Sequence, residues 1–424
     1  MSDYSTIQIM MTLAALASDG ADPRPSGEQR DQHIARIKQG ITTQLADTSL
    51  ATQGNWKLSW VGLTKDGANL AYIAQGPNDG NGTVYALVLR GTVMDSLVDQ
   101  LEDLQVGLLV PFHPDGTPPM WPLPQISLGA MVAFGAIVSN TDLKTQLAEQ
   151  KPDTLYVVGH SLGGAMATTI ALYLQQQVSA GKLPIARIQP YTFAAPTAGD
   201  ATFATWFDKQ FPKAVCIYNK YDVVPTAWAT LASLPENWQS NPFYPPSPGP
   251  TAKPDNTVGE EIAKMAANTK GNTYVQPTQQ PPLNTGSPPL LLEKYAPPPP
   301  KVDPLVDQFM QQVGFQHYSN NYLKLLDAPQ VPDVVPIASV SPTSGKVLGG
   351  TSVTILPKAG ETFTPDCVVD FGNFAAKSQT VAPGGTSITA VSPANFIIGP
   401  VDIRVTNMYG TTTAGPSDQF TYTL

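Results

Sequence analysis

The run "LYVVGHSLGGAM", residues Leu155 to Met166, constrains this chain more than any other stretch. Leu155, Tyr156, Val157 and Val158 read as a short buried strand, and Leu162, Met166, Ile170 and Leu174 then recur at helical spacing. Ser161 therefore stands on a strand-to-helix turn, with Gly159 and Gly163 on either side. Alternation continues downstream, with a helix from about 162 to 180, a strand at "IQPYTFAA", a helix at "TFATWFDKQF" and a strand at "AVCIYN". Helices alternating with buried strands predict an α/β domain whose mostly parallel central sheet is covered on both faces. Upstream, "WKLSWVGL", "ANLAYIA" and "TVYALVLR", broken by turn-forming "KDG" and "NDGNG", add strands in hairpin connection.

A chain of 424 residues exceeds the usual size of one hydrophobic core, so at least two domains are expected. A net charge of -9 argues against a nucleic-acid partner, which wants a basic face. The two cysteines, Cys216 and Cys367, make no disulfide framework, and the four histidines show no ligand spacing, so neither metal nor cofactor is expected. The apolar stretch "IQIMMTLAALA" follows the acidic "MSDY" and is too short to span a bilayer. It reads as a helix packing Ile7, Met10, Met11 and Leu13 on the core, with no clear signal peptide and no transmembrane segment. The address stays open between cytoplasm and export by a route not visible in the sequence.

Composition shifts twice. Between about 241 and 300 the chain turns proline-rich, with one short helical pattern at "VGEEIAKMAAN", which predicts extended surface chain inserted within the first domain. Order returns at "LVDQFMQQVGFQHYSNNYLKLL". After "DAPQVPDVVP" the residues become Val, Thr, Ser, Gly and Pro in short alternating strands, as in a small β-sandwich. The expected domains are therefore 1–332 and 333–424.

A serine hydroxyl is a weak nucleophile at neutral pH and needs a base, which in turn needs an orienting group. In G-x-S-x-G, here Gly159 to Gly163, the small neighbours allow a strained turn that projects the hydroxyl at the sheet edge. The N–H groups that follow, beginning with Leu162, face any oxyanion. With the order serine, acid, histidine that this turn implies, His317 is the one histidine downstream of Ser161 and becomes the base. His160 cannot easily bend round to serve its neighbour and reads as a packing residue. Among the intervening carboxylates, Asp222 follows the strand "AVCIYN" at its carboxyl end and is the preferred acid. Asp200 and Asp208 read instead as a helix start and its solvated face.

Taken together, "YALVLRGT", "VVGHSLGGAMA", "TFAAPTAGD", "NKYDVVP" and His317 resemble the class 3 (fungal-type) lipases of the α/β-hydrolase fold. The resemblance implies catalytic Ser161, Asp222 and His317, and an oxyanion hole from Leu162 and from Thr92 of the Arg90-Gly91-Thr92 segment. It implies a serine ester hydrolase acting on lipid esters, of triacylglycerol lipase type, possessing a lid near 106–124 to which Phe112, Met120 and Trp121 contribute a substrate-facing apolar surface. A loop packed permanently on the core is the alternative for that segment. A phospholipase or a short-chain carboxylesterase would share the same triad, and a non-catalytic binding protein is the remaining alternative. The chain departs from the family where a V-H-x-G-F-like strand start reads Ile126-Ser127-Leu128-Gly129-Ala130. The tail from Ile337, with "SPTSGKVLGGTSVTI" and Asp370-Phe371-Gly372, resembles the IPT/TIG immunoglobulin-like modules, which implies a binding or spacer role with no ligand residues identified.

Overall fold

The structure is a computed structural model and describes residues 3–18, 25–80, 82–91, 105–116, 120–231, 256–296, 298 and 302–424. The chain divides into two compact units, Met1–Ala17 with Leu45–Gln330, and Ser18–Gln44 with Val331–Leu424.

In the first unit, α1 (Thr6–Ser18) buries Met10, Met11 and Leu13, and the Tyr72 hydroxyl donates to the Leu13 carbonyl at 2.6 Å. Strands β1 (Lys57–Leu63), β2 (Leu70–Gln75) and β3 (Val84–Leu89) pair antiparallel, the hairpin connection expected from their turn residues. A separate ribbon of β4 (Leu109–Pro111) and β5 (Gln125–Ser127) follows, then α3 (Leu128–Asn140) and α4 (Leu143–Gln150). Ser127 caps α3, its hydroxyl accepting from the Ala130 N–H at 3.1 Å. That is the structural task of the serine in the Ile126–Ala130 segment.

The chain then runs β6 (Thr154–His160), α5 (Leu162–Ser179), β7 (Arg187–Phe193), α6 (Ala201–Gln210) and β8 (Val215–Ile217). The sheet order is β1-β2-β3-β6-β7-β8, parallel from β3 onward. Every residue of β3 is buried, and Leu87, Leu155, Val157, Ile170 and Phe203 share one core. Asp200 caps α6 through the Phe203 N–H at 2.8 Å, the helix-start role read from its position. The described part of the proline-rich stretch holds α7 (Asn256–Ala267) and then extended chain. That chain lies along β8, with Gln280 N–H donating to Cys216 and Leu283 N–H to Tyr218. Residues 241–255 lie outside the described residues. The unit closes with α8 (Pro304–His317) and α9 (Ser319–Leu325). No helix among the described residues is long and apolar enough to cross a membrane.

The second unit contains two sheets. One has the order β14 (Ser378–Val381), β15 (Ile388–Val391), β11 (Ser352–Pro357), β9 (Ile337–Ser341). The other runs β10 (Ser344–Lys346), β18 (Gln419–Thr423), β16 (Gly399–Asn407), β12 (Val368–Phe371), β13 (Phe374–Ala375), with β17 (Gly410–Thr411) on β16. Val353, Ile355 and Ile388 from the first sheet and Phe371, Ile403 and Phe420 from the second form a single core. The stretch Ser18–Gln44 also belongs to this unit, including most of α2 (Arg30–Leu45). Contacts distant in sequence hold it there: the Ser26 N–H reaches both Asp370 carboxylate oxygens at 3.2 Å, and Gly40 packs without room for a Cβ against the Met408 carbonyl. Composition alone carries no sign of that pairing.

At the β6–α5 turn, Ser161 has φ 59° and ψ -134°, a conformation that side chains rarely adopt. The turn holds because its neighbours are close-packed backbone. A Cβ on Gly159 would overlap the Gly163 carbonyl, and one on Gly163 would overlap the Leu89 carbonyl at the end of β3. The substitution Gly163→Ala is therefore expected to lower unfolding free energy by about 1–3 kcal/mol, the usual cost of overpacking. A urea titration comparing the variant with the parent checks it, and an unchanged midpoint would remove the steric account of this turn.

Candidate active site

Three chain segments meet at the carboxyl end of the parallel sheet. Ser161 leaves β6 on the strained turn. Asp222 lies five positions past the end of β8, in a turn where Asn219 Oδ1 accepts from the Tyr221 N–H and the Asp222 N–H donates to the Asn219 carbonyl. His317 is the last residue of α8, a helix started by Asp303, whose carboxylate accepts from Leu305 and Val306 N–H, with Pro304 at its first position. Tyr318 is extended, so α8 ends there and α9 sets off in a new direction.

The His317 ring bridges the other two. Its Nδ1 lies 2.8 Å from Asp222 Oδ2 and its Nε2 lies 2.7 Å from Ser161 Oγ. A carboxylate only accepts, so Nδ1 carries the proton toward Asp222, and in the neutral ring Nε2 is left to accept from the serine hydroxyl. Ser161, Asp222 and His317 are 4%, 2% and 0% exposed, so these bonds form in a low-dielectric setting where each counts for more than in water.

Asp222 has further partners. Its Oδ2 also accepts from the Tyr322 hydroxyl at 2.8 Å, and its Oδ1 accepts from the Val224 N–H at 3.0 Å. Tyr322, delivered by α9, accepts in turn from the Asn219 N–H at 2.9 Å, while Asn219 Nδ2 donates to the Gln316 side chain at 2.6 Å. Burial and the nearby Asp222 carboxylate raise the Tyr322 phenol well above its usual range, so it stays protonated and donates. Neither Tyr322 nor Asn219 was singled out in the sequence. A tyrosine five positions after the histidine has no signature apart from the helix–kink–helix that places it.

His160 packs, as its position implied. Its ring centroid lies 4.8 Å from that of His317 and 5.4 Å from that of Tyr322. Burial first, and the adjacent His317 second, hold its pKa well below the usual imidazole value, so it is neutral. The remaining histidines lie elsewhere: His113 is exposed, and His33 sits on α2 in the second unit.

A cavity of about 200 Å³ borders Leu162, the residue after Ser161. Its wall includes Gly91 just past β3, Ala130 and Ala133 on α3, Ala165 and Met166 at the start of α5, and the Trp228 ring from the chain after Asp222. Thr92, expected to complete the oxyanion hole, lies outside the described residues, as do 93–104 and 117–119. The three expected lid residues do not form one surface. Phe112 is wholly buried, edge-on to Phe134 at 5.3 Å and to Phe203 at 5.9 Å, so it faces the core and not a substrate. Met120 packs partly buried against the same core, whereas Trp121 is 77% exposed.

The first unit has an α/β-hydrolase-like fold, with a serine, an imidazole and a carboxylate in line at the end of its sheet. Residues 86–231 match the family model of the class 3 lipases. A secreted mono- and diacylglycerol lipase of Malassezia globosa is 28% identical over 150 residues, covering 33% of this chain and 45% of that protein. The chain thus matches less than half the length of that curated relative. Among solved structures, that of M37 lipase superposes with a TM-score of 0.60 at 23% identity, covering 76% of this chain and 93% of that one. At that identity the likeness establishes the fold.

Two outcomes follow from the electrostatics. Removing the Tyr322 hydroxyl in Tyr322→Phe takes one charge-assisted hydrogen bond from a buried carboxylate and is expected to destabilise the protein by about 1.5–3 kcal/mol, read by urea unfolding. The neutral His160 gives a pH dependence of known sign. Its folded pKa lies below its unfolded value near 6.5, so the unfolded chain binds the extra proton and stability is lost as pH falls below about 6.5. The slope from this group approaches about 1.4 kcal/mol per pH unit. His160→Phe is expected to remove that component from the stability–pH curve between 6.5 and 4.5, and identical slopes in variant and parent would contradict it.

Proposed function

We propose that the chain is a serine ester hydrolase acting on lipid esters, of triacylglycerol lipase type, with Ser161 as nucleophile, His317 as base and Asp222 as the group that orients it. The observation that carries this reading is the single imidazole within hydrogen-bond reach of both the Ser161 hydroxyl and the Asp222 carboxylate. The class 3 lipase match over 86–231 and the acylglycerol lipase relative support it.

His317 Nε2 takes the Ser161 proton as Oγ bonds to the ester carbonyl carbon. The negative charge that develops on the carbonyl oxygen is received by the Leu162 and Thr92 N–H groups. Collapse of the tetrahedral intermediate breaks the bond to the alcohol oxygen, and the imidazolium protonates the departing alcohol. A water then gives a proton to His317 while its oxygen attacks the acyl carbon, and collapse of this second intermediate breaks the bond to Oγ, which takes the proton back from His317 as the acid leaves. Asp222 stays ionised throughout, held by Tyr322 and the Val224 N–H, and stabilises the imidazolium. The apolar cavity beside Leu162 takes the acyl chain.

Segment 106–124 is proposed as the lid, with Leu108 and Trp121 as its exposed apolar groups and Phe112 as the anchor to the core. The second unit, with two sheets on one core, is proposed as an immunoglobulin-like module of IPT/TIG type, with the chain boundary near 332. A second reading, a short-chain carboxylesterase using the same three residues, is favoured by the modest volume of the cavity.

Ser161→Ala is expected to lower ester turnover by on the order of 10⁶-fold with the fold retained by circular dichroism, and unchanged turnover would leave a binding protein as the reading. Across p-nitrophenyl esters of increasing chain length, the lipase reading expects a rise in rate when the long esters pass their solubility limit. A rate that peaks at short chains and ignores the interface assigns the carboxylesterase.

A further inference from the structure

The described large apolar side chains that face solvent are unevenly distributed. Phe396 is 97% exposed, Leu348 87%, Ile397 71% and Ile398 57%, and all four stand at one end of the second unit. Two loops carry them, one following β10 and one leading into β16, and hydrogen bonds tie those loops together. Asn395 N–H donates to the Val347 carbonyl at 2.8 Å and Gly350 N–H to the Ser392 carbonyl at 2.9 Å, while the Tyr422 hydroxyl holds the Pro393 carbonyl at 3.0 Å. The buried Asn395 side chain also accepts from the Ile397 N–H at 3.0 Å, which fixes the path of the exposed residues. The apolar tip is therefore built on an anchored frame.

We infer that this tip is a docking surface for an uncharged lipid surface, into which Phe396, Ile397, Ile398 and Leu348 insert. Charge is the first argument. No Asp, Glu, Lys or Arg occurs from 378 to 401 or from 347 to 357, so neither loop brings an ionised group that insertion would have to desolvate. It also offers no cluster of basic residues that would select anionic headgroups. Shape is the second. Phe396 projects almost free of protein neighbours, and a convex apolar point needs a matching hollow in a protein partner, whereas fluid acyl chains close around any outline. Area is the third. Four such side chains expose roughly 500 Å², the size of a functional surface patch, and short of the roughly 800 Å² per partner that a stable protein interface buries. A polar module would otherwise keep such residues covered. The inference stands on the second unit alone and does not require that the first unit cleave esters.

The full chain is tested by sedimentation with vesicles of a dialkyl ether phosphatidylcholine, which contains no ester for a hydrolase to cut. The double variant Phe396→Ser, Ile397→Ser changes two side chains that face solvent and is expected to bind these vesicles at least tenfold more weakly than the parent. Its thermal midpoint and its turnover of a dissolved short ester are expected to match the parent. Equal vesicle binding by variant and parent, or no binding by either, overturns the inference. So does a parent that is dimeric in light scattering and becomes monomeric in the variant, since the tip would then be the contact between two copies. Failure of the proposed ester hydrolysis would be seen separately, as absent turnover in a parent that still binds the vesicles.

Discussion

A carboxylate removed from water must recover its solvation from the protein, and at Asp222 that demand organises the site. The group is 2% exposed, and among the described residues no lysine or arginine is paired with it. Hydrogen bonds do the work instead: the His317 ring, the Tyr322 hydroxyl and the Val224 N–H all point at its two oxygens. Each donor comes from a different piece of chain, so satisfying one charge draws together the end of α8, the face of α9 and the turn after β8. The kink at Tyr318 is part of the same solution. A continuous helix would place positions 317 and 322 about 500° apart around its axis and stack them a turn and a half apart, whereas the break brings both to one carboxylate.

The serine is held by a different kind of constraint. Its backbone conformation is intrinsically unfavourable, and no hydrogen bond of its own side chain caps the helix that follows. What maintains it is the lack of alternatives: β3, β6 and the first turn of α5 approach so closely that Gly159 and Gly163 leave no space for side chains. Packing thus sets where the hydroxyl sits, and the polar network sets where the imidazole meets it. His160 joins the two, since it occupies the turn and lies against both His317 and Tyr322. Because it is neutral, it fills this space without placing a second positive charge beside an imidazole that must itself accept a proton.

Much of this was legible in the amino-acid order because it rests on short-range rules. The strand at Thr154–His160 and the helix at Leu162–Ser179 follow from apolar period, and the choice of His317 follows from chain order in a sequence with few histidines. What could not be read depends on long-range contacts. Tyr322 looks like any core tyrosine until the kink is known. Phe112 lies in an apolar, proline-punctuated stretch, and composition does not distinguish a ring that faces lipid from one that fills a gap between Phe134, Phe203 and Trp206. The placement of Ser18–Gln44 in the second unit rests on contacts such as Ser26 with Asp370, whose partners are 344 positions apart. No local pattern encodes that distance.

The proline-rich stretch between the acid and the histidine makes the same point from the other side. Prolines exclude it from the interior of a sheet, and it was expected to run as extended surface chain. Along β8 it does so, but with a purpose that composition does not reveal. β8 is the last strand of the sheet, and the turn bearing Asp222 hangs from its end. Gln280 and Leu283 donate to Cys216 and Tyr218, and the Lys220 N–H donates back to Leu283, so the stretch covers an edge that would otherwise stay open. Asn219, which bridges to Leu283 in that pairing, is the residue whose N–H holds Tyr322 and whose side chain shapes the Asp222 turn. The long connection therefore clamps the strand end from which the carboxylate is presented, so its contribution is to fix the acid relative to the imidazole.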